Sequence, residues 1–496
     1  MVFIILSIIS ISLLLVAAGS AKSQQGSVNN DYTGRKGAKY IFVFIGDGMG
    51  LPQVSSAEIY AGAKDSSRID APRSLTFTQF LVQGLTTTHD ASSFITDSAS
   101  AGTAIATGHK TLNGVICMDP ETKTVPYESI AKQAGKAGMK VGVITSVSLD
   151  HATPATFYAN VPSRKLMYEI SLQMVDSGFD YFAGGQITDP DGKKSKMTDK
   201  PGNVWDYAKK NGYTVTMTKN DFTKLKPGTG KVIALTEAPA DAAAMLYEID
   251  RPEDVLSLAD FTKKGIDLMQ DNPKGFFLMV EGGKIDWACH ANDGISSIKD
   301  VYAFDESIRA AMDFYEKHPN ETLIIVTGDH ECGGMTIGFS GTKYDTFFTK
   351  LDRQKMSFIM FDEKFAEMKK NNPGLKFSQV MPLITGNFGL YPPGSGTDND
   401  MTDYEYKLLE EAFNESMKPD DAKSKSEEAY IKYGGYEPLS VTLTHILNQK
   451  AGIGWTTYSH TGVPVPTYAV GVGQDLFNGF YDNTDIYKKI YSIMKL

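Results

Sequence analysis

The sequence is poor in cysteine. Three cysteines, Cys117, Cys289 and Cys332, occur in 496 residues. Because three thiols cannot all pair, they provide no disulfide framework. Apolar residues make up 42% of the chain, an ordinary share for a folded protein of this length. We therefore expect the fold to be stabilised by a large hydrophobic core, and disorder is not favoured.

The sequence also lacks an excess of positive charge. Its formal net charge is -10 at pH 7, so the phosphates of a nucleic acid would be repelled at long range. This excess of negative charge argues against nucleic-acid binding. A site for any other phosphate would need local positive charge, and bound metal ions are the densest source of it.

Only one long apolar run occurs, at residues 2–18. The small residues Gly19 and Ala21 follow it, a pattern similar to a signal-peptidase site. We interpret residues 1–21 as a signal peptide, which predicts export to the periplasm or the extracellular space, and residues 22–37 as a polar linker. The run lacks a basic segment before it and is nearly long enough to span a bilayer, so an uncleaved membrane anchor is the alternative.

Short β-branched and aromatic runs alternate with longer amphipathic segments after the linker. This alternation predicts an α/β fold with a central, mostly parallel sheet flanked by helices on both faces. The clearest strands, nearly continuous apolar runs typical of buried strands, are Tyr40–Ile45, Lys140–Thr145, Gly275–Val280, Thr322–Thr327 and Thr467–Val472. Apolar residues at three-to-four spacing predict helices at Ser129–Ala137, Leu258–Met269 and Ile298–Tyr315.

The composition changes between about residues 342 and 438. This stretch is rich in Lys, Glu and Asp, contains Met and Phe, and includes Pro-Pro-Gly-Ser-Gly at 392–396. Because strand-like sequence resumes after it, we interpret it as a helical or irregular insertion in one domain that spans residues 38–496.

Carboxylate and imidazole side chains follow several of the predicted strands. Segments that leave the carboxyl ends of parallel strands converge at one edge of a sheet, and these donor types suit zinc or, for oxygen alone, magnesium. Each has a simpler interpretation as a tight turn, a hydrogen-bonded Asp–His couple or a capping residue. The residues are Asp47, Glu281, Asp286, His290, Asp329, His330 and, before the last strand, His460.

The segment Thr96–Ala104 is rich in small residues and could open a helix with Asp97 as N-cap. A helix N-terminus favours an anion, and small side chains leave room for a substrate beside Ser98. The alternative is a tightly packed structural helix. Ten residues after Pro154 lies Arg164, whose guanidinium matches two phosphate oxygens, although most arginines are surface charges.

Six motifs in order make residues 38–496 resemble the alkaline phosphatases. They are Gly-Asp-Gly-Met-Gly at 46–50, Thr-Asp-Ser-Ala at 96–99, His-Ala-Thr-Pro-Ala at 151–155, Glu-Gly-Gly-Lys-Ile-Asp at 281–286, Asp-His at 329–330 and His-Thr-Gly-Val-Pro-Val-Pro at 460–466. The resemblance implies a catalytic domain that hydrolyses phosphate monoesters at alkaline pH. It also implies a phosphoserine intermediate on Ser98, with Arg164 binding the phosphoryl group and inorganic phosphate as product.

The resemblance further implies two zinc ions and one magnesium ion per chain. The implied ligands are Asp286, His290 and His460 for one zinc, Asp47, Asp329 and His330 for the second, and Asp47, Thr153 and Glu281 for magnesium. The sequence departs from the best-known enterobacterial pattern at His151 and Trp287, where that pattern has Asp and Lys. Both replacements are similar to those in animal or marine bacterial members, and they bear on the third metal and on phosphate retention.

Other interpretations share parts of this pattern. A phosphodiesterase or phosphonate hydrolase with the same two-metal core is the alternative among enzymes, and a secreted metal- or phosphate-binding protein without turnover is the alternative of another class. Cys289 and Cys332 adjoin implied ligands, but the ligand sets are complete without a thiolate. The family is commonly dimeric, so a homodimer is expected, although the sequence itself establishes no interface.

Overall fold

The computed structural model describes residues 37–65 and 71–494. The signal peptide predicted at 1–21, and all but the last residue of the linker predicted at 22–37, lie outside the described residues. Within those two ranges, no helix combines the length and the apolar character needed to cross a membrane.

The described residues form a sheet with helices on both faces, as predicted. In chain order the strands are β1 (Tyr40–Gly46), β2 (Val82–Thr87), β3 (Lys140–Thr145), β4 (Tyr181–Gly184), β5 (Tyr213–Thr216), β6 (Lys231–Leu235), β7 (Phe276–Gly282), β8 (Thr322–Gly328), β9 (Glu331–Cys332), β10 (Thr336–Ile337), β11 (Ile453–Gly454), β12 (His460–Thr461), β13 (Val465–Gly471) and β14 (Gly479–Asp482).

The α-helices of the same ranges follow, in chain order. They are α1 (Leu51–Ala63), α2 (Ser98–Thr107), α3 (Ile130–Lys136), α4 (Ala152–Ala155), α5 (Met167–Asp176), α6 (Val204–Lys210), α7 (Lys219–Thr223), α8 (Leu258–Met269), α9 (Lys284–His290), α10 (Gly294–Tyr315), α11 (Phe358–Asn371), α12 (Phe377–Phe388), α13 (Asp403–Ser416), α14 (Glu427–Tyr433), α15 (Pro438–Ala451) and α16 (Thr484–Met494). Helices α11 to α14 lie between residues 342 and 438. That this stretch is an insertion within the single domain stays a prediction.

Ten strands form the main sheet in the order β14-β2-β13-β8-β1-β7-β3-β4-β6-β5. All neighbouring pairs are parallel except those of β13, which runs antiparallel to both β2 and β8. The mostly parallel sheet is therefore confirmed, and its five predicted strands are correct to within two residues. Strands β4, β5, β6 and β14 were not predicted because four or five residues give too little apolar pattern, and β2 was not predicted because its buried and exposed residues alternate.

Strand β1 lies at the centre of the hydrophobic core. All seven of its residues are buried, and successive side chains point to opposite faces of the sheet. Phe42 and Phe44 pack into the core on one face, while Ile41, Val43 and Ile45 pack into the core on the other. Because both faces of the strand are buried, its sequence is nearly continuously apolar.

The register of the central strands aligns their carboxyl ends. Gly46 of β1 pairs with Gly282 of β7 and with Gly328 of β8, so the three strands end level with one another. The segments that leave these strands therefore begin side by side at one edge of the sheet.

Candidate metal centre and active site

All the side chains singled out in the sequence lie at or near this edge. Asp47 follows β1, Asp329 and His330 follow β8, and Glu281 lies at the end of β7. Three clusters form here from His, Cys, Asp and Glu side chains, and within each the potential ligand atoms lie within 4.8 Å of one another. We call them clusters A, B and C.

Cluster A consists of Asp286, His290, Cys332 and His460. Asp286 and His290 are one turn apart on helix α9 and face the same way; Asp286 Oδ2 lies 3.3 Å from His290 Nε2. His460 comes from β12, a two-residue strand beside the main sheet, and its Nε2 lies 3.5 Å from Asp286 Oδ1. The structure thus brings together the three residues of the first implied zinc site and adds a thiol.

The hydrogen bonds of the two imidazoles in cluster A favour a cation between them. His290 Nδ1 lies 2.6 Å from the carbonyl oxygen of Tyr458, and His460 Nδ1 lies 2.8 Å from that of Thr96. Because a carbonyl can only accept, each neutral ring donates from Nδ1 and leaves a lone pair on Nε2. The two Nε2 atoms face each other at 3.1 Å, and two lone pairs this close repel unless a metal ion or a proton binds there.

Cluster B consists of Asp47, Asp329 and His330, all buried. His330 Nε2 lies 3.3 Å from Asp47 Oδ1 and 3.3 Å from Asp329 Oδ2. Asp329 Oδ1 accepts from the N–H of Gly48 at 3.2 Å. Gly48 has φ +70, and a Cβ there would lie 2.8 Å from the Cα of Asp286, so the turn after β1 requires glycine.

Ser98 is the first residue of helix α2 and points at cluster B. Its Oγ lies 3.2 Å from His330 Nε2 and 3.4 Å from Asp47 Oδ1. The carboxylate of Asp97, the predicted N-cap, accepts from the N–H of Ser100 at 3.0 Å. The local helix start therefore fixes the serine hydroxyl beside two donor atoms of the second implied zinc site.

Cluster C consists of Asp47, His151 and Glu281. Thr153, on helix α4, donates from Oγ1 to Asp47 Oδ2 at 3.3 Å. The implied magnesium ligands are thus neighbours. The resemblance connected His151 with the third metal but did not name it as a ligand. In the structure, a ring nitrogen of His151 lies within 4.8 Å of the ligand atoms of Asp47 and Glu281.

Arg164 lies between Asp97, which precedes Ser98, and His151 of cluster C. It donates from one terminal nitrogen to Asp97 Oδ2 at 2.9 Å and from the other to His151 Nε2 at 3.0 Å. Trp287 packs edge-on against the His151 ring, with ring centres 5.8 Å apart. Although burial would raise the pKa of Asp97, the guanidinium of Arg164 lowers it, so the ion pair is maintained at neutral pH.

Electrostatics at the edge resemble those of a cation site. Burial raises the pKa of Asp47 well above its ordinary value, and the carboxylates of Asp329 and Asp286 raise it further. Burial likewise raises the pKa of Glu281 to about 8 and that of Asp329 to about 7. Burial would also raise the pKa of Asp286, but the two imidazoles of cluster A hold it well below its usual range.

Several buried polar atoms at the edge have no hydrogen-bond partner among the described residues. They are Asp286 Oδ1, Asp329 Oδ2, His330 Nδ1, Glu281 Oε1 and His151 Nδ1. Such groups are costly unless something compensates them. Carboxylate oxygens that lack a hydrogen-bond donor and lie next to imidazole nitrogens fit the binding of divalent cations. The carboxylate and imidazole ligands of clusters A and B suit zinc.

Sequence reasoning missed the side chains that hold the ligand segments together. Glu331, buried between His330 and Cys332, accepts from Gln53 Nε2 at 2.8 Å and from Thr461 Oγ1 at 2.5 Å. It thereby ties the segments after β1 and β8 to the strand that carries His460. Its position beside Asp-His was the only signal in the sequence. Asp97 was expected only as an N-cap, whereas its second oxygen also binds Arg164.

We expect the metal-free protein to lose stability as the pH rises from about 7 to 9. Despite burial, Asp286 raises the pKa of His290 to about 9, and those of Glu281 and Asp329 also exceed their unfolded values. The folded protein therefore binds more protons than the unfolded chain in this range, and removing them destabilises it. Metal binding requires the deprotonated ligands, so metal affinity rises over the same range.

Thermal unfolding of chelated and metal-loaded protein at pH 7, 8 and 9 would measure this effect. The difference in Tm between the two forms should widen with pH, and Glu281→Gln, which cannot ionise, should flatten the pH dependence of the chelated form. A parallel decline of both forms would contradict the assignment.

Comparison with known proteins agrees with this geometry. Residues 38–496 match the family described as "Alkaline phosphatase". Alkaline phosphatase 4 of Bacillus subtilis (strain 168) is 32% identical over 499 residues, covering 99% of this chain and 96% of that protein.

Solved structures are similar as well. The cold-active alkaline phosphatase of the psychrophile Shewanella sp. has a TM-score of 0.73 at 28% identity, covering 92% of this chain and 99% of that one. A mutant alkaline phosphatase of the Antarctic bacterium TAB5, described with Mg bound in the M3 site, has a TM-score of 0.62 at 24% identity, with coverage of 93% and 99%. Since the family match spans more than nine-tenths of the sequence, the chain belongs to the alkaline phosphatase family.

Proposed function

We propose that this alkaline phosphatase hydrolyses phosphate monoesters through a phosphoserine on Ser98. The observation that carries the proposal is the position of Ser98 Oγ, 3.2 Å from His330 Nε2 and 3.4 Å from Asp47 Oδ1. The N-terminus of α2 faces the same space and favours an anion there. Among the described residues, the histidine that lies within hydrogen-bond distance of Ser98 Oγ is His330, which belongs to cluster B.

Clusters A and B are proposed to hold zinc, and the carboxylates of Asp47 and Glu281 in cluster C, together with Thr153 Oγ1, are proposed to hold magnesium. When bound, these ions would supply positive charge that stabilises the attacking and leaving oxygens of the phosphoryl transfer. The match to family members supports metal dependence, and the unpartnered oxygen and nitrogen atoms of the clusters support divalent ions at these positions.

Arg164 is proposed to bind the phosphoryl group. A guanidinium carries two N–H donors on each terminal nitrogen. Asp97 uses one donor of one nitrogen and His151 one donor of the other, so one N–H on each nitrogen is available for two non-bridging oxygens. Asp97 also caps the helix that begins with Ser98, so it sets the arginine and the nucleophile relative to each other.

The reaction then has two transfers. In the first, Ser98 Oγ loses its proton and forms a bond to phosphorus while the bond from phosphorus to the alcohol oxygen breaks, and the alcohol leaves with a proton. In the second, water forms a bond to phosphorus, the bond to Ser98 Oγ breaks, and the serine regains its proton as inorganic phosphate departs. Arg164 keeps the phosphoryl oxygens in place throughout both transfers.

Ser98→Ala should abolish formation of the phosphoenzyme and reduce kcat by several orders of magnitude, because no other oxygen is held at that point. Metal content should stay close to that of the wild type, since Asp47, Asp329 and His330 remain to hold the ion of cluster B. Turnover, acid-trapped phosphoenzyme and bound metal would be measured together. Ser492→Ala, at an exposed helix position, is the control. Full turnover by the Ser98 variant would reject the serine as nucleophile.

Arg164→Lys keeps the positive charge but removes the planar guanidinium that can form two parallel hydrogen bonds to phosphoryl oxygens. We expect kcat/KM for a monoester to fall roughly 10–100-fold, equivalent to about 1.5–3 kcal/mol for charge-assisted hydrogen bonds. Inorganic phosphate should inhibit more weakly by a similar factor, and Lys165→Ala, at the exposed next residue, should change neither.

The same kinetic assay distinguishes the alternative among enzymes. A phosphodiester has two non-bridging oxygens and one negative charge, whereas a monoester has three such oxygens and up to two charges, so a site that binds the group through Arg164 and bound cations should prefer the monoester. A higher kcat/KM for the diester or a phosphonate would favour a phosphodiesterase or phosphonate hydrolase instead.

We also propose that the protein is exported, on the basis of the apolar run at residues 2–18 and the small residues after it. Cleavage near Ala21 would give a mature form that starts in the predicted linker. Mass spectrometry of the protein isolated from the cells that produce it would identify the first residue of the mature form. Recovery of the intact N-terminus in a membrane fraction would instead support the uncleaved anchor.

A further inference from the structure

Cys332 lies directly opposite a ligand of cluster A. Strands β9 and β12 pair antiparallel, with Cys332 opposite His460 and Glu331 opposite Thr461. Directly opposed residues in an antiparallel pair place their side chains on the same side. The sulfur of Cys332 therefore accompanies the imidazole of His460, and its Sγ lies within 4.8 Å of the ligand atoms of Asp286, His290 and His460.

The position of this sulfur is fixed by its surroundings. Cys332 is fully buried, and its carbonyl oxygen accepts from Gln53 Nε2 at 2.9 Å. The thiol itself has a weak contact, to the carbonyl oxygen of Asp286 at 3.7 Å. Nearby, the buried Asp286 Oδ1 has no hydrogen-bond partner among the described residues, and a cation bound beside the sulfur would compensate this oxygen.

Cys289 provides a natural comparison on the same helix as two of the ligands. It is also fully buried, but its Sγ lies 3.3 Å from Ser297 Oγ and 3.7 Å from Gln53 Nε2. It belongs to none of the three clusters. A thiol that is merely buried near α9 therefore does not join the ligand atoms of cluster A. The pairing of β9 with β12, which sets Cys332 opposite His460, brings the sulfur of Cys332 to them.

We propose that Cys332 is a conditional fourth ligand of cluster A, recruited by thiophilic divalent ions such as Cd²⁺. The proposal rests on the proposed function, because it takes cluster A as a metal site. A catalytic zinc site has three protein ligands and an open position. Thiolate prefers soft ions, so Cd²⁺ displaces the proton of the thiol to solvent, forms a bond to sulfur and fills the open position.

The test uses the full chain, stripped of metal by a chelator and then titrated with Cd²⁺ or Zn²⁺. Ultraviolet difference spectra detect the charge-transfer band of a sulfur–cadmium bond, and competition with a coloured chelator gives both dissociation constants. Wild type and Cys289→Ser should develop the band, and Cys332→Ser should lose it. Cys332→Ser should also weaken Cd²⁺ binding about 10–100-fold, the range for losing a supporting group at a metal site, and Zn²⁺ binding by less.

A variant in which both Cys117 and Cys289 are replaced by Ser keeps Cys332 as its only thiol and remains informative if Cys332→Ser fails to fold. The band in this double variant assigns the sulfur to Cys332. Cd²⁺ binding without a band, alongside normal Zn²⁺ binding, overturns the thiol ligand and leaves the proposed function intact. Failure to bind either ion overturns both proposals.

Discussion

Mutual repulsion among buried carboxylates is the constraint on which the site depends. Asp47, Glu281, Asp286 and Asp329 are all buried; burial raises the pKa of Asp47, and the charges of the other three carboxylates raise it further. Without cations, protons must occupy several of these groups, and the edge of the sheet would have little ability to attract an anion. Divalent ions reverse this situation, because they keep the carboxylates ionised and leave positive charge for the substrate. In a chain with a net charge of -10, bound cations together with Arg164 would offset the long-range repulsion of a phosphate dianion.

The supporting contacts explain why the clusters have defined geometry. Backbone carbonyls of Tyr458 and Thr96 orient the imidazoles of His290 and His460, while Glu331 links three chain segments through Gln53 and Thr461. Side chains whose rotamers are fixed in this way need little reorganisation when charge develops during a reaction. Asp97 has a similar role, because one carboxylate both begins α2 and holds Arg164.

The sequence predicted the parts of the molecule that obey simple periodicity or chemistry. Fully buried strands such as β1 and β8 are continuous apolar runs, and donor residues directly after them converge because parallel strands end level. The antiparallel direction of β13 could not be predicted, since direction depends on how distant segments pair. Neither could the approach of His151 to cluster C, which depends on the path of the loop after β3. The homodimer stays a prediction, because the contacts within one chain do not show which of its surfaces would pair with a second copy.

The position of His460 in the chain has a consequence for biosynthesis. Cluster A needs this imidazole beside Asp286, and its Nδ1 is bonded to the carbonyl of Thr96, 364 residues earlier. A ribosome therefore synthesises almost the whole polypeptide before the ligand set of cluster A can be complete, whereas clusters B and C contain no residue beyond His330. Under the proposed export, a chain that crosses the membrane before it folds would complete cluster A only on the far side. The metal ion of cluster A would then be acquired in that compartment.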